Sequence, residues 1–161
     1  TNQSISSTEF KNRKIHGYLT PVLGEDIAQI FKQNSAYLIT DKITDPEILE
    51  KEIPIEKDRI FVEVPTYKEY RSFLKKGYKY PMLTIYELHV LKHYWPLFST
   101  GKIKALVVPT ILIDKHPEEL KLLLEKDITI FAHTSDDKEY IKENIGKTVS
   151  GFYTDSTTNL K

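Results

Sequence analysis

The chain contains no cysteine. Disulfides, thiolate nucleophiles and cysteine-based zinc sites are therefore excluded, and no redox compartment is implied. It also lacks net charge, since 23 Lys and Arg balance 23 Asp and Glu. No overall field draws it to nucleic acid or to an anionic membrane. No apolar run approaches the roughly 20 residues of a helical membrane span, and no signal-peptide pattern is visible. The Gly-rich phosphate loop, the Gly-x-Ser-x-Gly elbow and the His-Glu-x-x-His pattern are all missing. Methionine and tryptophan occur once each, beside ten tyrosines. The tyrosines read as half-buried edges of strands and helices rather than as a binding stripe.

What is present is a repeated alternation of short apolar runs and amphipathic stretches. With 161 residues, 40% of them hydrophobic, the chain is long enough for one domain with a real core. Residues 1–14 are polar and without period, so residues 1–17 read as an arm or linker and 18–161 as the domain. Residues 21–33 carry Ile27, Ile30 and Phe31 at helical spacing behind the acidic pair Glu25-Asp26. Residues 37–40 form a short strand, and Asp45-Pro46 reads as an N-cap followed by proline at the first helical position. Ile60–Val64 is a strand, and residues 67–76 a helix stopped by Gly77. Residues 81–85 are a strand. The helix after it, through Glu87, Leu88, Leu91 and Tyr94, is expected to end at Pro96. Strands follow at 103–108, 128–132 and 149–153, with helices at 117–126 and 136–144 between them. Strands that are apolar without alternation are buried on both faces, as in parallel sheets. The pattern fits either an open flavodoxin-like sheet or part of a (β/α) barrel.

Several segments carry a family resemblance. Tyr37-Leu-Ile-Thr-Asp-Lys42, Phe61-Val-Glu-Val-Pro65 and Gly77-Tyr-Lys-Tyr-Pro-Met-Leu-Thr-Ile-Tyr86 come first. The strand 105–109, Phe131-Ala-His-Thr134 and Gly151-Phe-Tyr-Thr-Asp155 follow. In this order they resemble strands three to eight of the glycerophosphodiester phosphodiesterase-like family, a TIM barrel. The resemblance implies an α/β fold of about six βα units and, in a complete barrel, a metal-dependent phosphoric diester hydrolase of lipid metabolism using Ca or Mg. The His-Arg segment, Glu-x-Asp pair and His-Asp of the family's first two strands match nothing here; His16-Gly17 lacks the Arg and a following strand. The expectation is that this chain does not hydrolyse phosphodiesters by itself. The missing strands would come from another chain segment or a protein partner. The alternative is a ligand- or protein-binding domain of a larger surface or membrane-associated protein, and a bacterial extracytoplasmic or membrane-associated setting goes with either.

The resemblance implies the candidate residues, each beside a plainer reading. Asp41 and Glu63 are the metal candidates; Asp41 also reads as a turn residue, and Glu63 as the outward partner of a helix Lys. Glu63 and His133 are the candidates for proton chemistry, since a carboxylate inside an apolar strand needs a partner. Lys42, Thr84, Tyr86, His133, Thr134 and Thr154 are the substrate-binding candidates, with a phosphodiester as the implied ligand. Aligning Asp41 with the family's metal carboxylate puts Ile43 where its phosphate-binding Lys belongs. His89 and His93 stand i, i+4 on a helix, a metal-compatible spacing with no third ligand in view.

Overall fold

The computed structural model describes residues 6–14, 17, 20–41 and 43–155. Lys42 and His16 lie outside the described residues. The elements run α1 (Ser7–Asn12), α2 (Gly24–Lys32), β1 (Leu38–Thr40), α3 (Pro46–Glu52), β2 (Ile60–Val64), α4 (Tyr67–Lys75), β3 (Tyr80–Thr84) and α5 (Leu88–Ser99). They continue with β4 (Ala105–Val108), α6 (Thr110–Lys115), α7 (Pro117–Leu124), β5 (Thr129–Ala132), α8 (Lys138–Asn144) and β6 (Gly151–Phe152). The six strands form one parallel sheet in the order β1-β2-β3-β4-β5-β6. The sheet curls into a half-barrel with helices between the strands. A flavodoxin-like sheet reverses its strand order at a switch point, and this one never does, so that arrangement is corrected by the topology.

Local chemistry accounts for most element ends. Asp45 caps α3 by accepting from the Glu47 N–H at 2.8 Å, with Pro46 at the first turn. Thr66 and Glu69 cap α4 reciprocally, and Gly77, at φ +87°, ends it in the left-handed conformation that glycine tolerates. Asp137 caps α8.

One expectation is corrected, and two helices appear that the sequence pattern does not announce. Pro96 does not end α5, which runs on to Ser99. Its ring costs the helix one amide donor, but the Thr100 hydroxyl and N–H both return to the Pro96 carbonyl at 2.8 and 3.2 Å. Phe98, fully buried, holds that last turn on the core. The polar arm contains α1, capped by Ser6 and tied to α2 through Lys11 and Asp26 at 3.1 Å. The extra helix α6 follows Pro109 directly; at six residues it is too short to show a helical period.

The sheet separates two apolar layers. Val62, Val64, Leu83, Ile85, Leu106, Val108, Ile130 and Ala132 face the helices and meet Leu49, Phe73, Leu91, Phe98, Leu120 and Leu123 in the main core. The alternate residues, Phe61, Met82, Ala105, Val107, Phe131 and Tyr153, form a smaller cluster on the concave side. Both faces being apolar explains why the strands do not alternate in sequence. Arg59 fastens the incoming strand to the α2 end. Its guanidinium donates to the carbonyls of Phe31 and Asn34 at 2.7 Å and Ala36 at 2.8 Å.

Two outcomes test this packing. A methyl group at Gly24 would overlap the Glu52 carbonyl oxygen where α2 abuts the end of α3. Gly24→Ala is expected to cost roughly 2 kcal/mol in denaturant unfolding. Tyr78 is 2% exposed; burial, with the Glu50 charge behind it, pushes its hydroxyl up to about 12. Burial raises Tyr70 as well, against the Lys104 N–H that donates to its oxygen. Folded pKa values above the ordinary tyrosine value mean stability that is complete below about pH 10. For Tyr78 that stability is lost as pH rises towards about 12. The urea midpoint should fall over this window, and Tyr78→Phe should remove part of the fall.

Candidate functional site

At the carboxyl ends of the strands the concave side opens into a cleft. Glu63 is the penultimate residue of β2, in register with Met82 of β3. It therefore points away from the helices, and it is only 4% exposed. The plainer reading of an outward residue paired with a helix Lys does not hold. The Thr84 hydroxyl donates to Glu63 Oε1 at 2.8 Å and the Tyr153 hydroxyl to Oε2 at 3.3 Å. His133 Nε2 lies 3.5 Å from Oε1, buried and without hydrogen-bond geometry to any partner. The Glu63 charge and burial keep the Tyr153 proton bound well above the ordinary tyrosine range, burial contributing most and Asp41 least.

These groups come from β2, β3, β5 and β6, and continued ladders hold them in place. The His133 N–H donates to the Val108 carbonyl at 2.8 Å, and the Tyr153 N–H to that of Ala132 at 2.9 Å. Strand alternation carries Phe131 and His133 to the concave side, and Gly151 and Tyr153 likewise. In a flat sheet β2 and β6 would stand about 19 Å apart, far beyond the reach of two side chains. The hydrogen bond from Tyr153 to Glu63 is therefore a direct measure of the curl. Phe61 on β2 and Phe131 on β5 also meet edge to face, with centroids 5.7 Å apart.

The cleft comprises two adjoining hollows that share Asp41 and Glu63. One, of about 130 Å³, is lined by these with Thr44, Pro65, Thr84 and Tyr86. The other, of about 350 Å³, adds Ile39, His133, Thr134 and Tyr153. Tyr86 is 59% exposed at the mouth. Its ring lies flat against His133, with centroids 5.8 Å apart and planes 2° from parallel, while Tyr153 meets His133 edge-on at 5.5 Å.

Asp41, Glu63, Thr84, Tyr86, His133 and Thr134 thus gather at one cleft. Thr154 does not; it is half-buried and lines neither hollow, because one step past Tyr153 alternation turns it from the concave side. Lys42 lies outside the described residues. Ile43, expected on the inward face, packs against the helix-side core. His89 and His93 are exposed on α5, and His89 Nδ1 meets the Glu87 carboxylate at 3.0 Å. The extended backbone of Glu87 at the helix start brings in a residue that helical spacing alone places elsewhere. Among the described residues no three His, Asp or Glu side chains gather closely enough to hold a metal ion. Asp41 and Glu63, the metal candidates, line the same cleft, and each Glu63 oxygen accepts one hydroxyl proton. Tyr153, which donates to Glu63, is not among the candidates drawn from the sequence; its signal is the alternation through Gly151-Phe152-Tyr153.

No protein-family model, curated protein or solved structure matches this chain. Fold and site define a class: a curled parallel α/β half-barrel with a carboxylate-centred cleft at its strand ends. Among the described residues no helix is long and apolar enough to cross a membrane.

Glu63 is the natural point of attack for a test. Glu63→Ala leaves the Thr84 and Tyr153 hydroxyls without their acceptor and should cost about 1–3 kcal/mol in unfolding free energy. Glu63→Gln keeps one acceptor oxygen and should cost visibly less, with the urea slope unchanged in both.

Proposed function

We propose that this chain is a (β/α) barrel segment of the glycerophosphodiester phosphodiesterase-like type whose cleft binds a small ligand and, by its own residues, does not hydrolyse it. The observation that carries this reading is the convergence of Glu63, Thr84, His133 and Tyr153 from four strands. In parallel barrels, polar side chains at the carboxyl ends of strands form the ligand site. The strand order, sequential and parallel throughout, agrees with strands three to eight of such a barrel. Closure into the TIM type takes two further strands, from another stretch of polypeptide or a partner, paired to β1 and β6.

The hydrolytic chemistry of that family needs a divalent metal to offset the phosphodiester charge and histidines for proton transfer. Among the described residues no three His, Asp or Glu side chains gather to hold such a metal, and His133 is the one described histidine lining the cleft. A Ca- or Mg-dependent enzyme would take its remaining ligands from the added strands. The chain alone is thus a binding unit.

With Ca or Mg present, the 161-residue chain should show no turnover of bis(p-nitrophenyl) phosphate or glycerophosphocholine. Glycerophosphocholine should nevertheless shift the amide resonances of Glu63, Thr84, Tyr86 and His133. Metal-dependent turnover that Glu63→Gln abolishes would overturn the reading, and so would unchanged amide resonances.

A further inference from the structure

The outer face of α4 concentrates cations that have no acid beside them. On α7 and α8 a lysine pairs with an acid one turn earlier, Lys121 with Glu118 at 2.7 Å and Lys142 with Glu139 at 3.4 Å. The cations flanking α4 are paired as well: Lys57 with Glu50 at 2.9 Å, Lys76 with Glu47 at 2.8 Å and Lys79 with Asp58 at 3.0 Å. On α4 itself the arrangement differs. The residues three and four positions from Arg71 within the helix are Tyr67, Lys68, Leu74 and Lys75. Lys68, Arg71 and Lys75 are exposed, and their side chains make no hydrogen bond or ion pair among the described residues. The acid of the helix, Glu69, is committed to its cap, where Oε2 accepts from the Thr66 N–H and hydroxyl at 3.1 and 2.8 Å.

These three cations share one hollow of about 440 Å³, lined by Tyr67, Lys68, Arg71, Ser72 and Lys75. All five side chains can donate a hydrogen bond, and none is a carboxylate. Lys68 and Ser72 also border the next hollow, towards α3, where Glu47 is held by Lys76 and Glu69 by Thr66. Tyr67 is braced by ring contacts with Tyr70 and Tyr94, at 6.0 and 6.2 Å. Seven residues of helix put Lys68 and Lys75 about 10 Å apart along the axis, a span that two long side chains close around one group. Like charges at helical spacing destabilise the helix, and an anion between them offsets that cost. A carboxylate brings one charge and two oxygens. A phosphate monoester brings roughly 1.5–2 charges and three strong acceptor oxygens, and a guanidinium fork matches two of them.

We propose that the outer face of α4 holds a phosphate monoester group, gripped by the Arg71 fork with Lys68 and Lys75 on either side. This hollow shares no lining residue with the cleft at the strand ends, and the proposal does not rest on the reading of that cleft. The recognised chemistry is the monoester dianion, carried by a soluble molecule or by a lipid headgroup.

The test is an amide-shift titration of the chain with methyl phosphate and with acetate, at constant ionic strength and about pH 8, where a phosphate monoester is a dianion. Sedimentation with phosphatidylcholine vesicles, with and without phosphatidate, covers the lipid source. Methyl phosphate should shift Lys68, Arg71, Ser72 and Lys75 and bind at least roughly tenfold tighter than acetate. Arg71→Gln, at an exposed position, should leave the urea midpoint in place and weaken methyl phosphate roughly tenfold, and Arg71→Lys should restore only part of the loss. Sedimentation that requires phosphatidate and is lost in Arg71→Gln, without a response to methyl phosphate, would keep the proposal and assign the group to a lipid. Equal binding of acetate and methyl phosphate would overturn it. So would shifts that Arg71→Gln leaves unchanged, or no response to either phosphate source. A response confined to Glu63, Thr84 and His133 would overturn it too, while leaving the cleft as the ligand site.

Discussion

The half-barrel turns on one buried carboxylate. Glu63 sits in an apolar strand where an unpartnered charge would cost several kcal/mol. The strands must therefore bend until hydroxyls from β3 and from the end of β6 reach it. That requirement and the apolar cluster of Phe61, Met82, Val107 and Phe131 act in the same direction. Both are met only when the sheet curls and the concave side chains converge. The helix layer supplies the larger apolar cluster, and the inner face adds contacts between strands that only a curled sheet brings together.

The same interaction makes the site. The buried Glu63 carboxylate at the floor of the cleft is also a fixed charge that an incoming group would meet. Structure and recognition are not separable here: the groups that would contact a ligand are those that hold the sheet in shape. Tyr86 is the exception, since it stands exposed at the rim and serves the fold little.

Much of this was legible in the sequence wherever a local rule acts alone. The Asp45-Pro46 cap, the strand Ile60–Val64 and the stop at Gly77 each depend on a few neighbouring residues. The unusual carboxylate in that strand marked the site. Tertiary contacts decided the rest. Pro96 reads as a terminator, yet the buried Phe98 and the returning Thr100 keep the helix going. Alternation gave the inner face once strands were placed, but not where each strand stops. So the sequence offers Thr154, which lines neither hollow, while Tyr153, one residue away, reaches Glu63. The direction of the curl, and with it the meeting of β2 and β6, has no local signature at all.

Neighbours in sequence are neighbours in the sheet from β1 to β6, so each unit leans mainly on the one before and the one after. Such an array behaves almost as a one-dimensional chain, able to open from either end without disturbing its middle. The bond from Tyr153 to Glu63, linking residues 90 apart in sequence, breaks that rule. It makes the far end answerable to the near one. A guest touching both residues would act as a staple, turning a stack that frays by degrees into a body that opens all at once.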